Sequence, residues 1–213
     1  MDKQQEREYR EVESIRESRF EKRCRQLAED GYEPQSATVK ISRANIYTLL
    51  IMLPFAALIF IPYYRRYGFE SVNSNLAPFI SLILFIVALA GETVLHEGIH
   101  GLVWGLAGGE GFSDIEFGFI HDTGTPYCYC GVPLPRWKYI LGKALPTLIL
   151  GIGQGILAIV LANPVILLLS MVQIFAGGGD FLVIWKLLLR RKQKKEMIVM
   201  EFPKRLGCMI FEK

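Results

Sequence analysis

His96-Glu97-Gly98-Ile99-His100 places two imidazoles four residues apart, with a carboxylate beside the first. On a helix, positions i and i+4 lie one above the other, so both rings can reach a single metal ion. Glu97 can then hold a water on that ion and take its proton, which is the chemistry of metal-assisted hydrolysis. The chain has three histidines, and two of them stand in this motif. The segment around them is apolar enough to be a membrane helix. Burying His, Glu and His there without a task would cost several kcal/mol.

Two histidines leave a zinc site one protein ligand short, because zinc enzymes use three and keep a fourth position for water. Within the apolar segments the acidic residues are Glu92, Glu97 and Asp180. Asp180 ends the run Gly177-Gly178-Gly179-Asp180, and every other aspartate lies outside these segments. Glycines permit close helix approach, and an intramembrane carboxylate calls for a partner. Counted along helices rising 1.5 Å per residue, His100 and Asp180 reach depths that agree within roughly one turn. The expected ligands of one Zn2+ per chain are therefore His96, His100 and Asp180, with Glu97 as the base. Zinc is the default metal for two imidazoles and one carboxylate.

Glu92 shares a helical stripe with 96 and 100. It can replace Asp180 as third ligand or accept a hydrogen bond from a ligand histidine. The second role is preferred, because three ligands in line along one helix cannot easily surround one ion. His121 falls in a predicted turn, where the readings are a solvated residue or a group that assists the substrate oxyanion. Gln154, Asn163 and Gln173 are explained by hydrogen bonds between helices.

The elements that position these residues follow from composition. The chain has 213 residues, 51% of them hydrophobic, and a mean hydropathy of +0.28. These values point to an all-α membrane protein with about four transmembrane helices, an N-terminal amphipathic helix and a small cytoplasmic-side β-hairpin. The spans fall at about 45–64, 77–107, 140–162 and 164–189, with Asn163-Pro164 dividing the last two. The first span begins too deep in the chain, and is too long, for a cleavable signal. Residues 1–43 form the cytoplasmic N-terminal helix and connector, 44–189 the four-span core, and 190–213 a basic cytoplasmic tail.

Lysines and arginines near the span ends set the orientation. Arg190, Arg191, Lys192, Lys194 and Lys195 follow the last span, Lys40 and Arg43 precede the first, and Arg136, Lys138 and Lys143 lie between the second and third. A multi-pass protein of the cell membrane with both termini cytoplasmic is expected, with no nucleic-acid partner. Cys24, Cys128, Cys130 and Cys208 then fall on the reducing side. Cys128-Tyr129-Cys130 reads as one face of a strand in preference to a metal pair.

Tyr9, Val12, Ile15, Phe20, Cys24 and Leu27 recur at close to helical spacing, giving the first helix a narrow apolar packing stripe that Gly31 ends. Thr38 to Ile41 reads as a short strand. Alternation over 112–135, interrupted by His121-Asp122-Thr123-Gly124-Thr125, predicts the hairpin. Glu196 to Phe202 and Cys208 to Phe211 are β-like segments of the tail.

Taken together, these residues resemble the putative zincin peptidase family of small bacterial membrane proteins, and more distantly the site-2-protease type of intramembrane metalloprotease. The resemblance rests on His96 to Gly101 and Gly179-Asp180, and more loosely on Ala44-Asn45-Ile46, Cys128-Tyr129-Cys130 and Pro133-Leu134-Pro135. Asp180 is followed by Phe181, whereas site-2 proteases commonly carry Asp-Gly there. The resemblance implies a zinc-dependent endopeptidase acting on membrane-associated protein or peptide substrates within the lipid bilayer, near the cytoplasmic face. Two other readings stay open: a metal-binding adaptor without proteolysis, and an ion or metabolite transporter.

Overall fold

The computed structural model describes residues 3–38, 41–68, 78–108, 111–120, 125–190, 196–203 and 207–213. His121 lies outside the described residues, as do Lys40 and the basic run 191–195. Helix α1 covers Lys3–Glu29, α2 Ile41–Tyr67 and α3 Pro78–Ala107. The next helix runs as α4 (Arg136–Pro146), a π-helical segment (Thr147–Gly153) and α5 (Gln154–Leu161). Helices α6 (Pro164–Ala176) and α7 (Gly178–Leu189) follow, bent by 45° at Gly177.

Three helices are long and apolar enough to cross a membrane, at Asn45–Tyr67, Phe79–Ala107 and Arg136–Leu161; the bent α6–α7 pair would be a fourth. The expected break at Asn163-Pro164 is present. Ala162 turns left-handed at φ 52, and the Asn163 side chain caps α6 by accepting from the amides of Val165 and Ile166 at 2.9 and 3.1 Å. Asn163 is thus a local cap, not a link between helices.

Helix α3 is built inside out. Glu92, His96, His100 and Trp104 are buried at successive fourth positions, while Val94, Leu95, Leu102 and Leu106 are exposed. That arrangement suits a lipid surround, where apolar side chains face outward without penalty and polar ones turn to the protein interior.

The β structure is more extensive than a single hairpin, and the all-α expectation is corrected on this point. Strand β1 is Glu33–Thr38, slightly earlier than the predicted strand at Thr38 to Ile41. Strands β2 (Ile115–Ile120) and β3 (Thr125–Cys130) form the expected antiparallel hairpin. Strands β4 (Leu134–Pro135), β5 (Met197–Glu201) and β6 (Gly207–Glu212) join β1 in a four-stranded antiparallel sheet of order β1-β6-β5-β4. The tail is therefore part of the folded body. Its Val199, Cys208 and Ile210 share a buried core with Trp104, Cys130, Leu134, Tyr139, Val183 and Leu187, so the sheet closes the end of the bundle beneath α3, α4 and α7.

Helix α1 docks by charge more than by its apolar stripe. Val12 and Ile15 remain exposed, although Phe20 meets Phe202 at 5.6 Å between ring centroids. The guanidinium of Arg16 is buried over the rings of Tyr127 and Tyr129, and Arg16 and Arg19 pair with Glu116 of β2. Arg23 pairs with Asp114 at 2.8 Å and donates to the Gly131 carbonyl. Arginine suits this role because its planar cation both stacks on rings and forks onto carboxylates.

Candidate metal centre

Helix α3 carries His96 and His100 on its buried stripe, and α7 brings Asp180 to them. The Asp180 Oδ2 oxygen lies 3.4 Å from His96 Nε2 and 3.2 Å from His100 Nε2. The bend at Gly177 makes this possible. A Cβ at Gly177 would meet the Thr147 hydroxyl, and one at Gly178 would meet Thr48, so the two glycines let the α6–α7 corner sit close against its neighbours. Asp180 then falls in the first turn of α7, where the helix dipole favours a carboxylate.

The other nitrogen of each ring is engaged. His96 Nδ1 faces Gln173 Oε1 at 3.3 Å, and His100 Nδ1 faces the Gly142 carbonyl at 2.8 Å. In a neutral ring, a proton on Nδ1 leaves Nε2 with its lone pair. With both rings in that tautomer, three acceptor atoms face one another, and a cation between them would satisfy all three. A tetrahedron with bonds of about 2.0–2.1 Å has edges of about 3.3–3.4 Å, which the observed separations match. Donor atoms of His96, Glu97 and His100 also lie within 4.8 Å of one another. The residues therefore fit zinc.

The surroundings contain groups that helical periodicity could not reveal. Lys143 Nζ lies 3.1 Å from Asp180 Oδ1 and 2.7 Å from Glu201 Oε1. His100 stacks on Trp104 at 5.0 Å, and Trp104 stacks in turn on Tyr139 at 5.8 Å. Formally, the carboxylates of Glu97, Asp180 and Glu201 against one ammonium leave two negative charges, which a dication balances. The hydrogen bond found for Glu92 runs to another helix and not to His96. One of its oxygens accepts from the Gln154 side chain and the other is buried without a partner, so it ties α3 to α5. Gln154 does link two helices as expected, and Gln173 does so through the His96 ring.

Cys128 and Cys130 share the buried face of β3, as the strand reading required. Burial pushes the Cys130 thiol up to about 12, and that of Cys208 up to about 12 as well. Burial raises Cys128 in the same direction. Among the described residues, no cysteine joins the cluster of His96, Glu97 and His100.

Two consequences can be measured. Gln173→Leu removes the acceptor that orients His96 and is expected to weaken zinc binding by about 10–100-fold, as loss of an outer partner of a ligand histidine does. Competition against a chromophoric chelator checks this, and an unchanged affinity would show that His96 is oriented by other means. Gly142→Ala would drive a methyl into the Trp104 indole. The resulting overpacking is expected to destabilise the fold by about 1–3 kcal/mol, seen as a lower melting temperature in detergent.

An HExxH helix joined by a carboxylate from a second helix, inside a largely helical protein with three or four apolar helices, is a donor set that could hold a metal ion as a zincin-class peptidase would. Residues 89–195 match the family described as "Putative zincin peptidase", and the chain belongs to that family. The match spans His96, Glu97, His100, Lys143, Gln173 and Asp180, and ends before Glu201. Family membership implies zinc as the cofactor. No curated protein and no solved structure matches the chain.

Proposed function

We propose that this protein is a zinc-dependent endopeptidase of the cell membrane that hydrolyses peptide bonds of membrane-associated proteins near the cytoplasmic face. One observation carries the reading: His96 and His100 direct their Nε2 atoms at a carboxylate oxygen from a separate helix, with Glu97 alongside. His96, His100 and Asp180 would hold the metal. Bound there, zinc supplies a Lewis acid that polarises the scissile carbonyl and makes water acidic enough to attack near neutral pH.

Glu97 takes a proton from the attacking water as the C–O bond forms, then returns it to the amine nitrogen as the C–N bond breaks. Gln173 and the Gly142 carbonyl keep both imidazoles turned toward the site throughout. His96 and His100 are almost fully buried, whereas Glu97 is partly exposed. Water and substrate therefore approach from the Glu97 side.

The peptide groups of a substrate helix are bonded to one another, so the substrate must unwind locally before attack. The β2–β3 hairpin packs on α3, with Phe117 over Gly101. It is suited to take an unwound segment as an added strand. The Lys/Arg bias of the connecting segments favours placing both termini, and the sheet that contains the C-terminal strands, in the cytoplasm.

Metal removal tests the proposal. In proteoliposomes holding a single-span substrate, cleavage is expected to stop after chelation and to return with stoichiometric zinc. Cleavage that continues in metal-free protein would refute it.

A further inference from the structure

The buried Lys143 has no part in the hydrolytic steps above, yet it joins two carboxylates of the site. Its ammonium lies against Asp180 Oδ1, against Glu201 Oε1 and over the Trp104 ring at 5.0 Å. Its side chain is 10% exposed. Taking an ammonium out of water costs several kcal/mol unless geometry and hydrogen bonding repay it. A residue needed only to fill this space would be apolar.

We propose that Lys143 is a positioning residue for the third metal ligand: it occupies Asp180 Oδ1, so that Oδ2 alone faces the two histidines, and Glu201 holds it there. This rests on the metal-centre reading above.

A carboxylate with both oxygens free can bind a metal through either or both. A bidentate Asp180 would take the position that a catalytic zinc site keeps for water. Lys143 prevents this by holding one oxygen with a charge-assisted hydrogen bond. The residue before it, Gly142, offers its carbonyl to His100. Two consecutive residues of α4 therefore orient ligands from two other helices.

Glu201 makes the arrangement depend on the tail. Its second oxygen, Oε2, accepts from the backbone amide of Cys130 at 3.3 Å. A contact path thus runs from the hairpin end at Cys130 through Glu201 and Lys143 to Asp180, joining β3, β5, α4 and α7. Strand β5 thus reaches the metal centre, although it lies beyond the residues matched by the family.

The test loads full-length protein in nanodiscs with Co2+ alone and records its visible absorption, which is intense for four-coordinate cobalt and weak for higher coordination numbers. Wild type is expected to give the intense bands. Lys143→Met is expected to lose most of that intensity as Asp180 binds through both oxygens, and Glu201→Gln to lose part of it. Gly155→Ala, which crowds Ile59 and Ser170 away from the site, serves as a destabilised control and should keep the wild-type spectrum.

A wild-type spectrum in both Lys143→Met and Glu201→Gln would overturn the proposal while leaving the metal centre intact. Should Lys143→Met not fold, an unchanged Glu201→Gln spectrum overturns it alone. Equal loss in Gly155→Ala would also overturn it, by showing that the change reports general destabilisation. Failure of the wild type to bind Co2+ would remove the metal centre itself.

Discussion

Replacing Glu97 with glutamine is expected to lower peptide hydrolysis by about 10²–10⁴-fold, the range that a positioned general base contributes, while zinc stays bound. The argument is geometric. The Glu97 carboxylate belongs to the same cluster as the two histidine donors, within 4.8 Å, but it stands next to the first histidine and not on the stripe that α3 buries. Among the described residues, it is the one carboxylate near the two histidines that is neither paired with Lys143, as Asp180 and Glu201 are, nor bonded to another helix, as Glu92 is. Glutamine keeps its size and hydrogen bonding and removes only its capacity to take a proton. Single-turnover cleavage measured beside zinc content separates the two effects. Full cleavage with zinc bound would remove Glu97 from the base role; loss of zinc would make it a ligand.

Asp180→Ala is expected to weaken zinc binding by more than about 100-fold, beyond the upper end of what an outer partner costs, because a direct ligand is removed. Elemental analysis of purified protein should find about one zinc per chain in wild type and little in the variant. The consequence extends past the metal. Lys143 would keep Glu201 and lose its other carboxylate, and Oδ1 would no longer fix its position. No other described carboxylate is poised as a replacement: Glu92 is turned to Gln154, and Glu201 faces Lys143 and the Cys130 amide. Full retention of zinc in Asp180→Ala would therefore mean that the ion sits between His96, His100 and Glu97, and that hydrolysis needs a different base.

The two experiments divide the possibilities cleanly. The first asks which group moves the proton, and the second asks what holds the ion. Gln173→Leu and Gly142→Ala probe the layer behind the ligands, where smaller effects are expected because each leaves the first contacts in place.

The parts of this protein that the sequence determined by itself are those governed by short-range periodicity. HExxH is legible because a helix returns to the same face every fourth residue, so His96 and His100 must point together wherever α3 lies. The apolar segments are legible because length and hydropathy suffice, and Asn163-Pro164 because proline cannot continue the preceding helix. Asp180 could be singled out because a lone acid in an apolar segment needs a partner. Which partner it had could only be argued from depth.

Tertiary structure alone decided what surrounds these residues. Lys143, counted in the sequence among the basic flanks of a span, is a buried cation paired with Asp180. Glu201 lay in a tail assigned no function, and Gly142 contributes a carbonyl, which every residue type possesses and no motif can mark. The tail strands were legible as β-like segments, but their pairing was not: β1 at residues 33–38 pairs with β6 at 207–212, and β4 has two residues, too few to show alternation. Helical patterns are written in neighbours along the chain, so they can be read there. Strand partners, ion pairs and the acceptors behind the two histidines are chosen across distances of about 40 to 180 residues, and only folding brings them into contact.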